Sequence, residues 1–250
     1  MVDGPRFIGN PIHHYEQLES TNSSALDLIS KSNPSEGTAI MTLFQTHGKG
    51  QYGRKWDSSR GKNILCSIIL YPSFLLLKNQ FYLNIFSSLA IRKLISGLVK
   101  SNVCIKWPND IYVGDKKISG ILINNAIQNN VLKHCVVGIG ININQKYFDP
   151  AIPNPSSIFI ENHVESDLNS IVKKLFNSME KYYLMLKSGN YSALREAYNE
   201  HLYLRNYQLD FSLNKKTKKG IIKEINKEGK LIIQSGLEIK AYDFNEVKYL

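Results

Sequence analysis

The sequence predicts an α+β fold, in which a large domain containing a β-sheet is followed by a small β-barrel. Apolar, β-rich runs are interspersed with amphipathic helical patterns along most of the chain. After residue 206 the pattern changes to short strand-like segments separated by turns such as Lys-Glu-Gly and Ser-Gly. We therefore expect domains at residues 1–205 and 206–250. The second is too small to be stable by itself and should pack on the first.

Each element of the large domain has its own pattern. Apolar runs bounded by Gly, Pro, Asn or Lys predict strands at residues 38–45, 63–71, 103–106, 118–124 and 135–144. Apolar residues spaced three and four apart predict helices at 80–100 and 166–186. A shorter helix at 23–31 follows the capping candidates Ser20, Thr21 and Asn22, and another is expected at 191–203.

Composition limits the class of protein. The chain has 250 residues, of which 43% are hydrophobic and 21% charged, so a packed core is expected and disorder is not. The net charge of +10 favours an anionic partner, such as a nucleotide, nucleic acid, acidic protein or anionic membrane. Cys66, Cys104 and Cys135 lack metal-ligand spacing and sit in apolar runs, which favours buried thiols in a reducing cytoplasm. The sequence has no signal-peptide pattern and no 18-residue apolar run, so we expect a cytoplasmic protein that does not enter a membrane.

A glycine-rich basic segment at residues 46–62 contains a literal GxGxxG at Gly48, Gly50 and Gly53. Dinucleotide binding requires a helix after this motif, whereas turn residues and another strand follow here. Walker A and protein-kinase loops are excluded because the residues that follow the glycines differ. Two interpretations remain open: a loop whose backbone N–H groups and cations surround a polyanion, and a solvated basic hairpin.

Two further segments carry polar groups at strand ends. The segment KWPND, followed by a Gly-Asp turn and KISGIL, brings two cations and a carboxylate to one end of a hairpin. The strand GIGININ carries two glycines that permit close approach of another group. An inward asparagine amide in this strand can read an adenine edge. A plain surface hairpin is the alternative for the first of these segments.

Together these residues resemble the biotin protein ligases. Four motifs agree in order and spacing: ESTN at 19–22, the GKGQYGRKWDSSRGKN loop with Gln45 before it, KWPND followed by KISGIL, and GIGININ. The C-terminal FNEVKYL also resembles the closing strand of that family. Because the match covers almost the whole chain, the sequence is identified as resembling the monofunctional members, which have no N-terminal DNA-binding domain.

This resemblance implies a fold and a reaction. The fold would be a catalytic domain with a mixed β-sheet of the biotin/lipoate ligase type, followed by an SH3-like C-terminal β-barrel. Biotin and ATP would be the substrates, with Mg²⁺ expected alongside ATP, and biotinyl-AMP the intermediate. The biotinyl group would then pass to a lysine of a biotin carboxyl carrier protein domain of a carboxylase. DNA is not an expected partner, and the resemblance allows a homodimer.

The resemblance also assigns roles to residues. Lys117 and Arg54 would be catalytic, with Lys117 bridging the biotin carboxylate and the α-phosphate. The biotin site would comprise Ser20, Thr21, Asn22, Gln45, Gly48, Lys49, Gly50, Gln51, Lys117 and Gly120. The ATP site would comprise Arg54, Trp56, Lys106, Asn109, Asp110 and Asn142. Helix capping is a second role open to Ser20 and Thr21, and a structural ion pair is an alternative for Lys106 and Asp110.

Two departures and two rival functions stay open. Lys49, Gln51 and Tyr52 stand where arginine is common, and arginine at position 51 can help to retain the adenylate. Asn124 stands where an acidic residue is frequent. A lipoate ligase-like adenylating enzyme would share the fold and chemistry, although its apolar dithiolane would leave the polar site residues unpaired. A non-enzymatic binding protein would instead use the lysines of residues 215–223.

Overall fold

A computed structural model describes residues 6–213 and 216–250. Lys215, one of the lysines of the basic-binding alternative, lies outside the described residues. The predicted α+β fold is confirmed: a mixed sheet with helices is followed by a smaller antiparallel sheet. The boundary between residues 205 and 206 stays a prediction.

The first sheet has seven strands in the order β1-β2-β3-β7-β6-β5-β4. These are β1 (Ile12–Tyr15), β2 (Ala39–Thr42), β3 (Asn63–Leu70), β4 (Val103–Lys106), β5 (Asp110–Val113), β6 (Lys116–Gln128) and β7 (Val131–Asn142). The pair β1–β2 is parallel and the other neighbours are antiparallel, which makes the sheet mixed.

Helices cover the two faces of this sheet unequally. The helices are α1 (Thr21–Lys31), α2 (Tyr82–Ser96), α3 (Ile158–Asn162), α4 (Leu168–Lys187) and α5 (Tyr191–Glu200). On one face, side chains of α2 and α4 form the main core with those of β3 and β7. On the other face, α1 seals a small cluster in which Ala25 meets Ile40, Ile69 and Val136. Because α1 is short, it leaves the rest of this second face open.

The second sheet packs against the first unit. Its strands are β8 (Gln208–Leu213), β9 (Lys216–Ile225), β10 (Leu231–Ser235), β11 (Glu238–Tyr242) and β12 (Val247–Tyr249), in the order β11-β10-β9-β8-β12. The indole N–H of Trp107 donates to the Gly229 carbonyl at 2.9 Å. The amide of Ile225 donates to Asn199 Oδ1 at 2.7 Å. These buried contacts supply the support that so small a sheet needs.

The sequence patterns missed three short elements, β1, β5 and α3, of only four or five residues each. Elements this short show little periodicity, although β4, of the same length, was predicted from its apolar run. The thiols also differ from expectation, since Cys66 and Cys135 are buried but Cys104 is partly exposed. Burial raises the pKa of Cys66 to about 12. Across the described residues, no helix is both long and apolar enough to cross a bilayer.

Candidate functional site

A trough runs across the open face of the first sheet, where three glycines contribute no side chains to the surface. Gly140 of β7 lies opposite Gly120 of β6, and Gly138 lies opposite Leu122 on β6 and Ser67 on β3. The three glycines line a cavity of about 390 Å³, a volume typical of small-molecule sites. A Cβ atom at Gly140 would collide with the Trp56 indole. The close approach predicted from the glycines of GIGININ is therefore present, and Trp56 is the group that approaches.

Most of the predicted site residues meet at this cavity. Those that line it are Ser20, Thr21, Asn22, Gln45, Lys49, Gly50, Gln51, Arg54, Trp56, Asn109, Asp110, Lys117, Gly120 and Asn142. Gly48 and Lys106 do not line it. A Cβ atom at Gly48 would collide with the Trp56 carbonyl and approach Gln45 Nε2 to 2.9 Å. Gly48 therefore permits the tight packing of the loop behind the cavity wall.

The N-terminus of α1 closes one end of the cavity. Ser20 is the N-cap residue and its hydroxyl accepts from the Ser23 amide at 3.5 Å, so the capping role proposed for it is present. Thr21 and Asn22 follow in the first turn and are each 4% exposed. Capping thus places three consecutive polar residues at the cavity instead of in solvent.

A buried hydrogen-bond relay fixes the polarity of this end. The Ser67 hydroxyl donates to Thr21 Oγ1 at 2.9 Å, and Thr21 Oγ1 donates to Gln45 Oε1 at 3.2 Å. The Thr21 amide donates to the same Gln45 oxygen at 2.8 Å. Because two donors occupy the Gln45 carbonyl oxygen, its NH₂ group is left to donate toward the cavity. The Thr21 hydroxyl retains a lone pair, so this end offers both N–H donors and an acceptor.

The basic glycine segment folds into a narrow hairpin over the trough. Lys49 and Lys55 form an isolated bridge, and the Gly50 amide donates to the Arg54 carbonyl at 2.7 Å. At the tip, Tyr52 adopts a left-handed conformation with φ 57°. The Tyr52 ring lies 5.8 Å from that of Phe244, in the turn between β11 and β12. The segment is therefore a hairpin, and three of its cations, Lys49, Arg54 and Lys55, line the cavity. That these cations surround a polyanion stays a prediction.

An ion pair stands at the middle of the trough. Lys117 Nζ lies 2.7 Å from Asp110 Oδ1, and their side chains are 31% and 23% exposed. The ion pair between Lys106 and Asp110 that was an alternative is not formed. A register shift between Ile111 and Tyr112 sets Lys117 against Tyr112, which brings the lysine beside the Asp110 carboxylate. The adjacent Asn109 is buried and its amide donates to the Ile121 carbonyl.

Lys106 lies beside the cavity in a group of tyrosine rings. Its ammonium lies 3.3 Å from the Tyr112 hydroxyl and 4.8, 5.6 and 4.7 Å from the ring centroids of Tyr112, Tyr203 and Tyr249. Burial lowers the pKa of Lys106, the nearby Asp110 opposes this, and Lys117 adds to it. Cation–π contacts compensate a partly desolvated ammonium. Lys106 thus supports Tyr112, which itself lines the cavity.

The far end of the trough holds two buried polar atoms that lack a partner. Asn142 Nδ2 donates to the Ser156 carbonyl at 2.9 Å, while Asn142 Oδ1 finds no hydrogen-bond partner among the described residues. Trp56 Nε1 is likewise buried and has no hydrogen-bond partner among the described residues. Lys117 Nζ lies 5.6 Å from the Trp56 ring centroid. Buried polar atoms are nearly always paired in folded proteins, so these two atoms, on side chains that line the cavity, are candidates for contact with a ligand.

The sequence patterns missed three contributors to the site. Ser67 interrupts the apolar run ILCSIIL, and a lone hydroxyl on a buried strand was the available signal. Tyr112 lies on the unpredicted strand β5. The segment 148–155 forms an outer wall, held because the Lys117 amide donates to the Asn154 carbonyl at 2.7 Å. Its Pro and Asn residues are typical of a loop and do not indicate that it returns to β6.

The cavity wall carries charges of both signs. Among residues 6–213 and 216–250, no three His, Cys, Asp or Glu side chains come together as a metal site would require. The cavity wall instead combines cations from the hairpin and β6 with the carboxylates Asp57 and Asp110. This balance suits a phosphorylated ligand better than a bare metal ion.

Proteins of known family resemble this chain in sequence. Residues 15–142 match the Biotin/lipoate A/B protein ligase family. The bifunctional ligase/repressor BirA of Bacillus subtilis is 33% identical over 139 residues, which cover 56% of this chain and 42% of that protein. The Escherichia coli BirA is 24% identical over 235 residues, covering 92% of this chain and 71% of that protein.

Structural comparison extends over nearly the whole chain. The biotin protein ligase from Aquifex aeolicus in complex with biotin and ATP superimposes with a TM-score of 0.80 at 22% identity. The superposition covers 95% of this chain and 97% of that one. The matched segment 15–142 contains the N-terminus of α1, the hairpin, the Lys117–Asp110 pair and Asn142. The chain belongs to the Biotin/lipoate A/B protein ligase family.

Proposed function

We propose that this protein is a biotin protein ligase, which attaches biotin to a lysine of a biotin carboxyl carrier protein domain through biotinyl-AMP. The relay from Ser67 through Thr21 to Gln45 carries the proposal. The ureido group of biotin has one carbonyl acceptor and two N–H donors. The Gln45 NH₂ group would donate to the carbonyl, and Thr21 Oγ1 would accept from one N–H. The Ser20 hydroxyl adds a further donor and acceptor beside them.

The adenylation step would take place at Lys117. With the ureido group at α1, the valerate chain follows the glycine trough toward the Lys117 ammonium. A biotin carboxylate oxygen then attacks the α-phosphorus of ATP, forming a new O–P bond while the bond to the bridging oxygen breaks and pyrophosphate leaves. Lys117 and Arg54 would stabilise the charge on the phosphate oxygens. Asp110, at 2.7 Å from Lys117, keeps the ammonium in place before substrate arrives.

The adenine end would be recognised by Asn142 and Trp56. Asn142 Oδ1 is buried and has no hydrogen-bond partner in the part of the chain that the structure describes, and the exocyclic amine of adenine is a donor that would satisfy it. The Trp56 indole supplies an apolar surface against which the base can stack. Mg²⁺ would arrive with ATP and neutralise phosphate charge. Its ligands would be chiefly phosphate oxygens, with Asp57 and Asp110 the carboxylates available in the wall.

The transfer step needs no nucleophile from this chain. The carrier lysine amine attacks the acyl carbon of biotinyl-AMP, the C–O bond to the phosphate breaks, AMP leaves, and the amine loses a proton. The net charge of +10 would favour an acidic carrier domain. We propose this carrier as the macromolecular partner and a cytoplasmic location for the reaction.

A lipoate ligase is the second candidate because it belongs to the same family. Its apolar dithiolane would leave the Gln45 NH₂ group and the Thr21 lone pair unsatisfied in a buried site. Sites built for hydrogen bonds reject ligands that lack them, by about 10⁴-fold or more. We therefore favour biotin over lipoate.

The test is exchange of labelled pyrophosphate into ATP with biotin, with lipoate and with neither. We expect exchange that depends on biotin and is at background with lipoate. Transfer to a purified carrier domain, followed by mass spectrometry, should add one biotinyl group to its lysine. Exchange supported by lipoate but not by biotin would overturn the assignment.

A further inference from the structure

A lysine outside the cavity forms a hydrogen bond with a tyrosine that lines it. Tyr112 lines the cavity from β5, whereas Lys106 on β4 does not line it. Lys106 Nζ lies 3.3 Å from the Tyr112 hydroxyl oxygen, and this is the one hydrogen bond of that hydroxyl among the described residues. An ammonium group can only donate, so the Tyr112 oxygen accepts from Lys106. The hydrogen of the Tyr112 hydroxyl therefore remains available to a ligand.

Aromatic rings keep the Lys106 ammonium at this place. Its nitrogen lies within 5.6 Å of the ring centroids of Tyr112, Tyr203 and Tyr249. Tyr249 belongs to β12, so the second sheet contributes to this group of rings. Cation–π contacts stabilise a partly desolvated ammonium. Because three rings contact it, the ammonium stays beside the Tyr112 hydroxyl instead of extending into the cavity.

Tyr112 lies at the end of the cavity that carries the charges. Its register partner on β6 is Lys117, and Asp110 lies two residues earlier on β5, so the three side chains share one face of the sheet. Burial raises the pKa of Tyr112, Asp110 and Tyr203 add to this, and Arg54 opposes it. The phenol therefore stays protonated at neutral pH and can donate.

The position of β5 indicates which part of the ligand this hydroxyl meets. The helix α1, at the proposed ureido end, packs on β2, β3 and β7, whereas β5 lies on the other side of β6. The hydroxyl is thus on the side of Lys117 that faces away from α1. Phosphate oxygens accept hydrogen bonds, and bonds to such charged acceptors are stronger than those between neutral groups.

We propose that Tyr112 is a further catalytic residue, whose hydroxyl donates a hydrogen bond to a phosphate oxygen of ATP, and that Lys106 is the positioning residue that directs this hydrogen. The inference rests on the proposed function. Without Lys106, the hydroxyl would rotate freely and could present its oxygen to the phosphate instead of its hydrogen. Lys106 thus takes part in the use of ATP although its own side chain lies outside the cavity.

The first experiment is Tyr112→Phe, assayed by biotin-dependent exchange of labelled pyrophosphate into ATP. Phenylalanine keeps the ring beside Lys106 and removes the hydroxyl alone. We expect kcat/KM for ATP to fall about tenfold or more, as for the loss of one hydrogen bond to a charged group. The affinity for biotin, measured by calorimetry without ATP, should stay as in the wild type.

Tyr203→Phe is the matched control, because it removes the same group from a neighbouring ring. The Tyr203 hydroxyl donates to Asp115 at 2.9 Å, and Tyr203 does not line the cavity. The control should therefore exchange at the wild-type rate. An unchanged kcat/KM for ATP in Tyr112→Phe would overturn the proposal, as would an equal loss in the control. A parallel loss of biotin affinity would also overturn it, since it would indicate a distorted cavity.

A double-mutant cycle with Lys106→Met tests the positioning role. Methionine occupies the space among the rings but donates no hydrogen bond. If Lys106 acts through Tyr112, the single variant should lower kcat/KM for ATP with unchanged biotin affinity, a combination that general loosening of the fold would not give. The double variant with Tyr112→Phe should then be no slower than Tyr112→Phe alone. An unchanged rate in Lys106→Met, or losses that multiply in the double variant, would overturn this role. The proposed function fails separately, if the wild type shows no biotin-dependent exchange.

Discussion

Replacement of Lys117 by alanine should slow adenylation by about two orders of magnitude while the protein stays folded. The ammonium stands at the middle of the trough, where it can lie about 4 Å from a phosphate oxygen. At that distance, and at an effective dielectric of about 20, one charge pair contributes about 4 kcal/mol. When Lys117 turns toward the phosphate it weakens its 2.7 Å contact with Asp110, and this loss offsets part of the charge interaction with the phosphate. A net loss of about 3 kcal/mol is then expected, which corresponds to about 150-fold in rate.

The effect on stability should be much smaller than the effect on rate. The side chains of Lys117 and Asp110 are 31% and 23% exposed, and partly exposed ion pairs contribute at most about 1 kcal/mol. For a chain of this size, that loss lowers the melting temperature by about 2–4 °C. The kinetic effect therefore dominates, and a folded variant with much slower adenylation is the expected result.

The assay is biotin-dependent exchange of labelled pyrophosphate into ATP, with the melting temperature measured in parallel. Lys116→Ala is the matched control, because Lys116 is the exposed neighbour on the same strand and the change in charge is identical. The control should exchange at the wild-type rate. If folded Lys117→Ala kept its exchange within fivefold of wild type, the reasoning about phosphate charge at this position would be refuted.

Three further predictions follow from the hairpin and the thiols. Gln51→Arg should slow the dissociation of biotinyl-AMP by up to about tenfold, because position 51 lines the cavity and would gain a full charge. An unchanged off-rate in a stopped-flow measurement would show that a charge at position 51 does not retain the adenylate. Trypsin should cleave first within the segment 48–62, whose tip is exposed, and biotin with ATP should slow that cleavage; equal rates would identify the segment as rigid. A thiol reagent applied to the native protein at pH 8 should modify Cys104 well before Cys66 or Cys135. Burial raises the pKa of all three thiols, but Cys104 is partly exposed whereas the other two are buried out of reach of the reagent; mass spectrometry of the labelled peptides checks the order.

The sequence predicted which residues lie at the site better than it predicted which of their side chains contact one another. The spacing of glycine and asparagine in GIGININ indicated close approach and an inward amide, because alternate residues on a strand share a face. The structure adds that the Trp56 indole packs against Gly140. It also shows that, among the described residues, Asn142 Oδ1 is the atom of that amide without a hydrogen-bond partner. The indole belongs to a segment about 85 residues earlier in the chain, so no local pattern could connect the two.

Lys106, Asp110 and Lys117 show the limit of local patterns most directly. Their order along the chain predicted two cations and an acid at one end of a hairpin, but left open which lysine the acid meets. The answer depends on the register shift between β5 and β6, which brings Lys117 to Asp110 and leaves Lys106 among tyrosines. Tyr249 of that group comes from the second sheet. Register is decided by packing across strands and not by the residues of one strand.

By itself, the sequence determined the fold class and the placement of the long helices, because period and turn residues are local properties of the chain. The resemblance of its motifs to a known family indicated most of the residues that line the cavity. Only the tertiary structure decided the direction of each hydrogen bond in the site. Ser67 illustrates this, since it orients Thr21, a cavity residue that lies far from it in sequence. A buried donor or acceptor is oriented by whichever groups surround it once water is excluded, and those groups come together only when the sheet and α1 have packed.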